Sequence, residues 1–236
     1  MEWTPPYDPQ QYNLLPLLAS QNRTADWFTT DDGDPYGRPN IARYSAHQAS
    51  KVIPFRYQTA VAERPEVRDW VTGLATAAFA EQERRNAPVA SVTRGPSLLL
   101  LGPTGVGKTY EAYGAVRELA VTGAFARWTV VTAADLYAAL RPRHGVDSEA
   151  EFKRYVNAGA LLIDDLGASK VSEFTEDVNF RLINRRYEDQ LPTLITSNVL
   201  PKELSARVGD RVGSRLNEMC TRVVITGTDR RRSVAA

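Results

Sequence analysis

From Pro65 onward, short runs of nearly wholly apolar residues alternate with stretches whose apolar positions recur every three or four residues. Val67, Trp70, Val71, Leu74 and Ala78 lie on one face of a helix that the polar run Glu81–Asn86 and Pro88 bring to an end. Ser97–Leu101 reads as a buried strand, Thr109–Val121 as a helix closed by Gly123, and Trp128–Val131 as a second, β-branched strand. Helices over Ala134–Leu140 and Ser148–Asn157 flank a loop, Arg141–Val146. Ala160–Ile163 is a third strand, and Phe174, Val178, Leu182 and Tyr187 form a helical stripe. Thr193–Thr196 is a fourth strand, Lys202–Asn217 an interrupted helix, and Val223–Thr226 a fifth strand. Short apolar strands alternating with helices predict a parallel sheet covered on both faces.

Before Pro65 the pattern is lost. Eight of the 14 prolines lie before residue 66, and Asp31-Asp32-Gly33-Asp34-Pro35 is turn chemistry. Residues 1–50 are therefore expected to be largely irregular, with one short helix near Tyr12–Ser20, as a partner-binding extension ahead of a domain over 51–236. Yet this segment holds Trp3, Tyr7, Tyr12, Trp27, Phe28, Tyr36 and Tyr44. Disordered linkers are poor in aromatics. Two readings stay open: the rings pack back on the same chain, or they anchor a partner.

The chain has 236 residues and 43% hydrophobic residues, enough for one sizeable domain with an extension. The net charge of +1 excludes a grossly basic nucleic-acid coat protein, but it is a sum of opposites. Residues 1–40 carry two basic against six acidic residues, whereas residues 201–236 carry eight basic against four acidic. Cys220 is the single cysteine, and His47 and His144 the only histidines, so a disulfide framework or a Cys/His metal site is not expected. No apolar run suits a membrane span and no signal peptide is evident, which makes a cytoplasmic protein without membrane contact the expectation.

The chemistry concentrates at strand ends. Gly102-Pro103-Thr104-Gly105-Val106-Gly107-Lys108-Thr109 fits G-x-x-x-x-G-K-[ST] between a strand and a helix. Its glycines let successive backbone N–H groups turn toward phosphates, Lys108 supplies charge to the β- and γ-phosphates, and the Thr109 hydroxyl suits Mg²⁺. Those eight residues and the adjoining Tyr110 are the candidates for binding a nucleotide's phosphates, with Mg²⁺ as cofactor. The third strand ends in Asp164-Asp165: Asp164 suits the Mg²⁺ shell and Asp165 suits polarising an attacking water, although a helix N-cap also explains an Asp there. Asn198, past the fourth strand, either lies beside the γ-phosphate or is an ordinary turn residue. Arg211 and Arg215 share a helix face, and Arg230-Arg231-Arg232 follow the last strand. Which arginine serves phosphate, and which only meets solvent, spacing does not decide.

Taken in order, GPTGVGKT (102–109), LLIDDLG (161–167), PTLITSN (192–198), GDRVGSRL (209–216) and TGTDRRR (226–232) resemble the AAA+ ATPases, and within them the DnaC/DnaI-type helicase loaders and the related IstB transposition helpers. The resemblance implies an α/β P-loop sandwich of three layers with a five-stranded parallel sheet and a short irregular N-terminal extension. It makes Lys108 and Thr109 the Walker A pair and Asp164 and Asp165 the Walker B pair. By the same resemblance Asn198 is sensor 1, Arg215 an arginine finger acting on the next subunit's ATP, and Arg231 sensor 2, with Arg230 and Arg232 as alternatives. The segment Val52–Tyr57 resembles the stretch that packs by adenine. Walker B here ends Asp-Asp where the wider class has Asp-Glu, which makes the base one methylene shorter. The implied function is ATP-dependent loading of a hexameric replicative helicase, held by the N-terminal segment, onto single-stranded DNA by an ATP-dependent homo-oligomer. DNA contact falls to Arg141, Arg143, Lys153 and Arg154, which a solvated face explains equally well. The alternatives are an IstB-like ATPase assisting a transposase, a small-molecule kinase and a nucleotide-gated binding module. An appended helix-turn-helix domain is not expected after the fifth strand.

Overall fold

A computed structural model describes residues 8–145 and 147–229. The chain divides into two compact units. One comprises the residues up to Val92 together with Tyr113–Arg127, and the other comprises Thr93–Ala112 together with the residues from Trp128 on. This division does not follow a boundary at residue 50.

The first unit is helical from near its beginning, which corrects the expectation of a largely irregular extension. It holds α1 (Leu15–Ser20), α2 (Ala25–Thr29), α3 (Arg38–Val52), a 3-10 turn at Phe55–Tyr57 and α4 (Pro65–Arg85), and it takes in the C-terminal half of α5 (Lys108–Ala120). In α3 the prolines mislead. Pro39 lies in the first turn, where its missing N–H would have no intrahelical partner and its fixed φ favours the helix. The buried stripe Ile41, Ala42, Ser45, Ala46 and Ala49 has helical spacing but consists mainly of small residues, so its apolar signal is weak.

Several aromatics pack inside this unit. Phe28 is fully buried and Tyr44 lies 5.7 Å from Phe125, centroid to centroid. Arg23 sits 4.6 Å over Trp27. Tyr36 stays largely exposed, and Trp3 and Tyr7 lie outside the described residues. Two buried charges on α5 hold the N-terminal segment. The Arg117 guanidinium donates to the carbonyls of Ala60, Tyr12 and Asn13. Glu118 Oε1 accepts from Ser20 Oγ at 2.8 Å and Gln21 Nε2 at 3.0 Å. Burying charges is costly unless hydrogen bonds compensate, so these contacts fix where residues 12–21 lie on α5.

The second unit contains a five-stranded, wholly parallel sheet of order β2-β3-β4-β1-β5, built from β1 (Ser97–Leu101), β2 (Trp128–Thr132), β3 (Ala160–Asp164), β4 (Thr193–Ser197) and β5 (Cys220–Val224). Leu98, Leu99, Leu100 and Leu101 are all fully buried, so both faces of the central strand are covered, as its apolar run requires. One core joins Leu99, Leu161, Ile163 and Ile195 with Leu136 of α6 (Ala133–Leu140), Tyr155 of α7 (Ser148–Val156), Leu182 of α8 (Glu173–Glu188), Leu204 of α9 (Leu204–Val208) and Leu216 of α10 (Asp210–Met219). Cys220 belongs to the same core, and burial pushes its thiol up to about 12, which leaves it unreactive. No helix among the described residues is long and apolar enough to cross a membrane.

A single arginine ties the amino edge of this sheet together. Arg186 is fully buried and donates to the carbonyls of Tyr155, Val156, Ala158 and Pro192 and to Thr193 Oγ1, at 2.8–3.0 Å. Tyr155 and Val156 are the last residues of α7, whose terminal carbonyls lack intrahelical partners. Removing the guanidinium orphans several buried acceptors at once, each worth roughly 1–3 kcal/mol. Arg186→Met is therefore expected to lower stability by at least about 3 kcal/mol, read as a drop in the urea midpoint. A midpoint within error of wild type would refute this role.

Candidate functional site

The functional side chains gather at the carboxyl edge of the sheet, where the strand order doubles back around β1. Register brings them level. Leu101 pairs with Ser197, Ile163 with Ile195 and Thr132 with Asp164, so β1, β3 and β4 end side by side. In open α/β sheets such a switch point is where ligands bind.

Residues 102–107 curl between β1 and α5. Gly102, Gly105 and Gly107 have φ of +151°, +87° and +101°, which L side chains rarely adopt. Two of them also clear space for the chain that follows β5. A Cβ on Gly102 would stand 2.1 Å from the Ile225 carbonyl oxygen, and one on Gly105 would stand 2.0 Å from Asp229 Oδ1. Pro103 and Thr104 are exposed, Val106 is buried, and Tyr110 is half-buried on the first turn of α5.

Lys108 is buried, and its Nζ donates to the carbonyls of Gly102 at 2.8 Å and Pro103 at 2.7 Å and to Asn198 Oδ1 at 2.5 Å. Asn198 Nδ2 in turn donates to Asp165 Oδ1 at 2.7 Å. Thr109 Oγ1 donates to Asp164 Oδ1 at 3.0 Å. Asn198 is thus no mere turn residue: it bridges the loop lysine and the second carboxylate.

The two aspartates face different partners because the backbone turns between them. Asp165 has φ +59°, a left-handed conformation that costs a non-glycine residue about 1–3 kcal/mol. Burial raises the pKa of Asp164 most, and the neighbouring Asp165 charge raises it further. Hydrogen bonds from Thr196 and Thr109 and the Lys108 charge oppose this.

Thr196 is a site residue that the sequence did not single out. Its hydroxyl donates to Asp164 Oδ1 at 2.6 Å and accepts the Asp165 N–H at 2.9 Å. The signal available was a pair of hydroxyls, Thr196 and Ser197, at the polar end of an apolar strand just before Asn198. Ser197 beside it donates to the Leu166 carbonyl at 2.6 Å, tying the loop after β3 to β4.

Arg211 and Arg215 take their contacts on helices, apart from this ring of hydrogen bonds. Arg215 stacks 4.5 Å over the Tyr187 ring, donates to Asn184 Oδ1 at 3.3 Å and pairs with Glu218 at 3.5 Å. These partners belong to α8 and α10, so Arg215 is held on a helical surface. Arg211 lies 5.5 Å over Phe180 on the same two helices. Arg231 falls outside the described residues. Arg141, Arg143, Lys153 and Arg154 are exposed on and beside α6 and α7, and Arg154 pairs with Glu151 at 3.7 Å. In the first unit Phe55 of the 52–57 stretch is 95% exposed, while Tyr57 stacks on Tyr113 at 4.8 Å.

The residues present fit a magnesium nucleotide. The positive-φ glycines leave the loop backbone bare where side chains would collide, Lys108 is fixed beside it, and a hydroxyl–carboxylate pair stands next to both. A glycine loop running into a helix, set against a strand-end acid pair and a strand-tip asparagine on a 2-3-4-1-5 parallel sheet, defines a P-loop protein of the AAA+ class. Residues 40–232 match the family of the IstB-like ATP binding proteins, and the chain belongs to that family.

Over 123 residues the chain is 26% identical to the replicative helicase loader DnaC of Escherichia coli (strain K12), covering 51% of this chain and 49% of that protein. Over 129 residues it is 29% identical to an insertion sequence IS21 putative ATP-binding protein of Pseudomonas aeruginosa, covering 55% and 48%. The chain thus spans about half the length of the curated relatives it matches. Among solved structures, the DnaC helicase loader is similar with a TM-score of 0.55 at 23% identity, over 73% of this chain and 100% of that one. DnaI is similar with a TM-score of 0.56 at 23% identity, over 74% and 95%. These two likenesses are of fold.

Proposed function

We propose that the chain is an ATP-hydrolysing IstB-like AAA+ protein that loads a replicative DNA helicase onto single-stranded DNA. The observation that carries hydrolysis is the connected set Lys108–Asn198–Asp165 and Thr109–Asp164 at one edge of the sheet. Bound Mg²⁺–ATP would supply a polarised γ-phosphoryl group, to which water bonds as the bond to the bridging oxygen breaks, giving phosphate and ADP. Lys108 and the loop N–H groups bind its phosphates, Thr109 and Asp164 hold the metal, and Asp165 accepts the proton of the water. Asn198 orients Asp165 and senses the phosphate end of the site. Arg215, presented on a helical surface, acts on the nucleotide of an adjoining copy, so turnover depends on assembly. A role at the nucleotide for Arg231, with Arg230 and Arg232 as alternatives, rests on the resemblance of the segment TGTDRRR. The N-terminal segment holds the helicase, and the exposed residues Arg141, Arg143, Lys153 and Arg154 touch the DNA backbone. A protein that loads a helicase onto DNA in this way acts in the cytoplasm.

The similarity to DnaC favours the helicase as partner. The 29% identity to an insertion-sequence ATP-binding protein favours a second reading, a helper of a transposase. A co-purification test separates them. The full chain, incubated with Mg²⁺–ATP and the purified hexameric replicative helicase of its source organism, is expected to form a complex and to place the helicase on circular single-stranded DNA. Failure to bind the helicase, with binding to a transposase encoded beside it, would transfer the assignment to the second reading.

A further inference from the structure

We propose that Thr196 is a positioning residue of the nucleotide site, whose hydroxyl assigns the two adjacent carboxylates their separate tasks, Asp164 to the metal and Asp165 to the water. This rests on the ATP-hydrolysing reading above. Thr196 is fully buried at the end of β4, and its hydroxyl oxygen serves both aspartates at once. A hydroxyl has one proton to give. The Asp165 N–H occupies the oxygen as acceptor at 2.9 Å, so the hydroxyl proton goes to Asp164 Oδ1 at 2.6 Å.

That single atom fixes two things. Donation to Oδ1 holds the Asp164 carboxylate in the orientation that also meets Thr109 Oγ1 at 3.0 Å. Acceptance from the Asp165 N–H holds the left-handed turn at φ +59°, and this turn carries the second carboxylate away from the first, to Asn198 Nδ2 at 2.7 Å. Without an anchor at that N–H, the turn that separates the two adjacent carboxylates loses its backbone support, and their side-chain partners Thr109 and Asn198 must hold them apart. Partners that orient a metal-holding group typically matter 10–100-fold for metal affinity or activity.

The same strand supplies an internal control. Thr193 is also fully buried, but its hydroxyl accepts from Arg186 Nε at 2.8 Å and donates to the Leu191 carbonyl at 3.1 Å, at the opposite end of β4. Its loss disturbs packing and leaves the carboxylates alone.

The test uses the full chain as wild type, Thr196→Val, Thr196→Ser and Thr193→Val. It reads the Mg²⁺ concentration that half-saturates binding of a fluorescent ATP analogue, together with kcat and KM for ATP at saturating Mg²⁺ and the thermal midpoint. Thr196→Val is expected to raise the half-saturating Mg²⁺ about tenfold and to lower kcat by at least as much, with KM little changed. Thr196→Ser should restore both to near wild type. Thr193→Val should lower the thermal midpoint with the Mg²⁺ requirement unchanged. Should Thr196→Val not fold, Thr196→Ala is measured in its place against the same expectations. A wild-type Mg²⁺ requirement and kcat in the Thr196 variant overturn the proposal, as does an equal Mg²⁺ shift in Thr193→Val. If the wild-type chain itself shows no Mg²⁺-dependent ATP binding, the ATPase reading fails first and this role fails with it.

Discussion

Lys108→Ala should weaken ATP binding at least about a hundredfold, roughly 2.7 kcal/mol. The ammonium is buried and held by two loop carbonyls and Asn198 in the position that the phosphates of a nucleotide would share. A charge-assisted hydrogen bond to phosphate is about twice as strong as a neutral one, and alanine replaces it with an apolar methyl beside an anion. The variant also frees Asn198 from one of its two partners, so Asp165 loses its fixed orientation. Titration with a fluorescent ATP analogue checks the expectation. Affinity equal to wild type would mean that the loop does not hold phosphate.

Arg215→Ala should behave in the opposite way, leaving ATP affinity within a few-fold of wild type while lowering kcat by about a thousandfold or more. Its contacts with Tyr187, Asn184 and Glu218 belong to α8 and α10, away from the loop's hydrogen-bond ring. An arginine placed there has no part in ground-state binding within its own subunit. Supplied to a neighbour's γ-phosphoryl group, it would stabilise charge that develops only in the transition state. Single-turnover hydrolysis at matched nucleotide occupancy separates this effect from binding. Equal losses in affinity and turnover would remove Arg215 from a trans role.

The sheet and its edge were legible because their chemistry is local and dense. β1 is five consecutive fully or nearly buried residues, and a parallel strand of that kind leaves no alternation to misread. The phosphate loop repeats a fixed spacing imposed by backbone curvature, and Asp164 stands at the end of an apolar run. The bounds of β1 to β4 shifted by at most one residue, whereas β5 runs Cys220–Val224 where Val223–Thr226 was expected, and α4 continues through most of the polar run Glu81–Asn86 as far as Arg85. In β5 Thr221 and Arg222 are exposed, as befits an edge strand, and their polarity hid its beginning.

The first unit was read poorly because its order rests on features with weak sequence signals. Alanines and a serine line the buried face of α3, a proline starts it, and Arg43 is buried by donating to the Phe28 and Thr30 carbonyls. Nor does spacing reveal that Arg117 and Glu118, consecutive on α5, both seize the N-terminal segment. At the site, Thr196 escaped notice for a related reason. Its partners are set by register between β3 and β4 and by a left-handed turn at Asp165, neither of which a single strand's residues disclose.

The central claim, that ATP is hydrolysed where one copy's loop meets another copy's arginine, has one direct test. Lys108→Ala and Arg215→Ala are each expected to be nearly inactive alone. Mixed in equal amounts, they should recover about a quarter of wild-type turnover, the share of interfaces that random mixing leaves intact. There an Arg215→Ala copy provides the loop and a Lys108→Ala copy provides the arginine. A mixture no more active than the sum of its folded components would contradict the account.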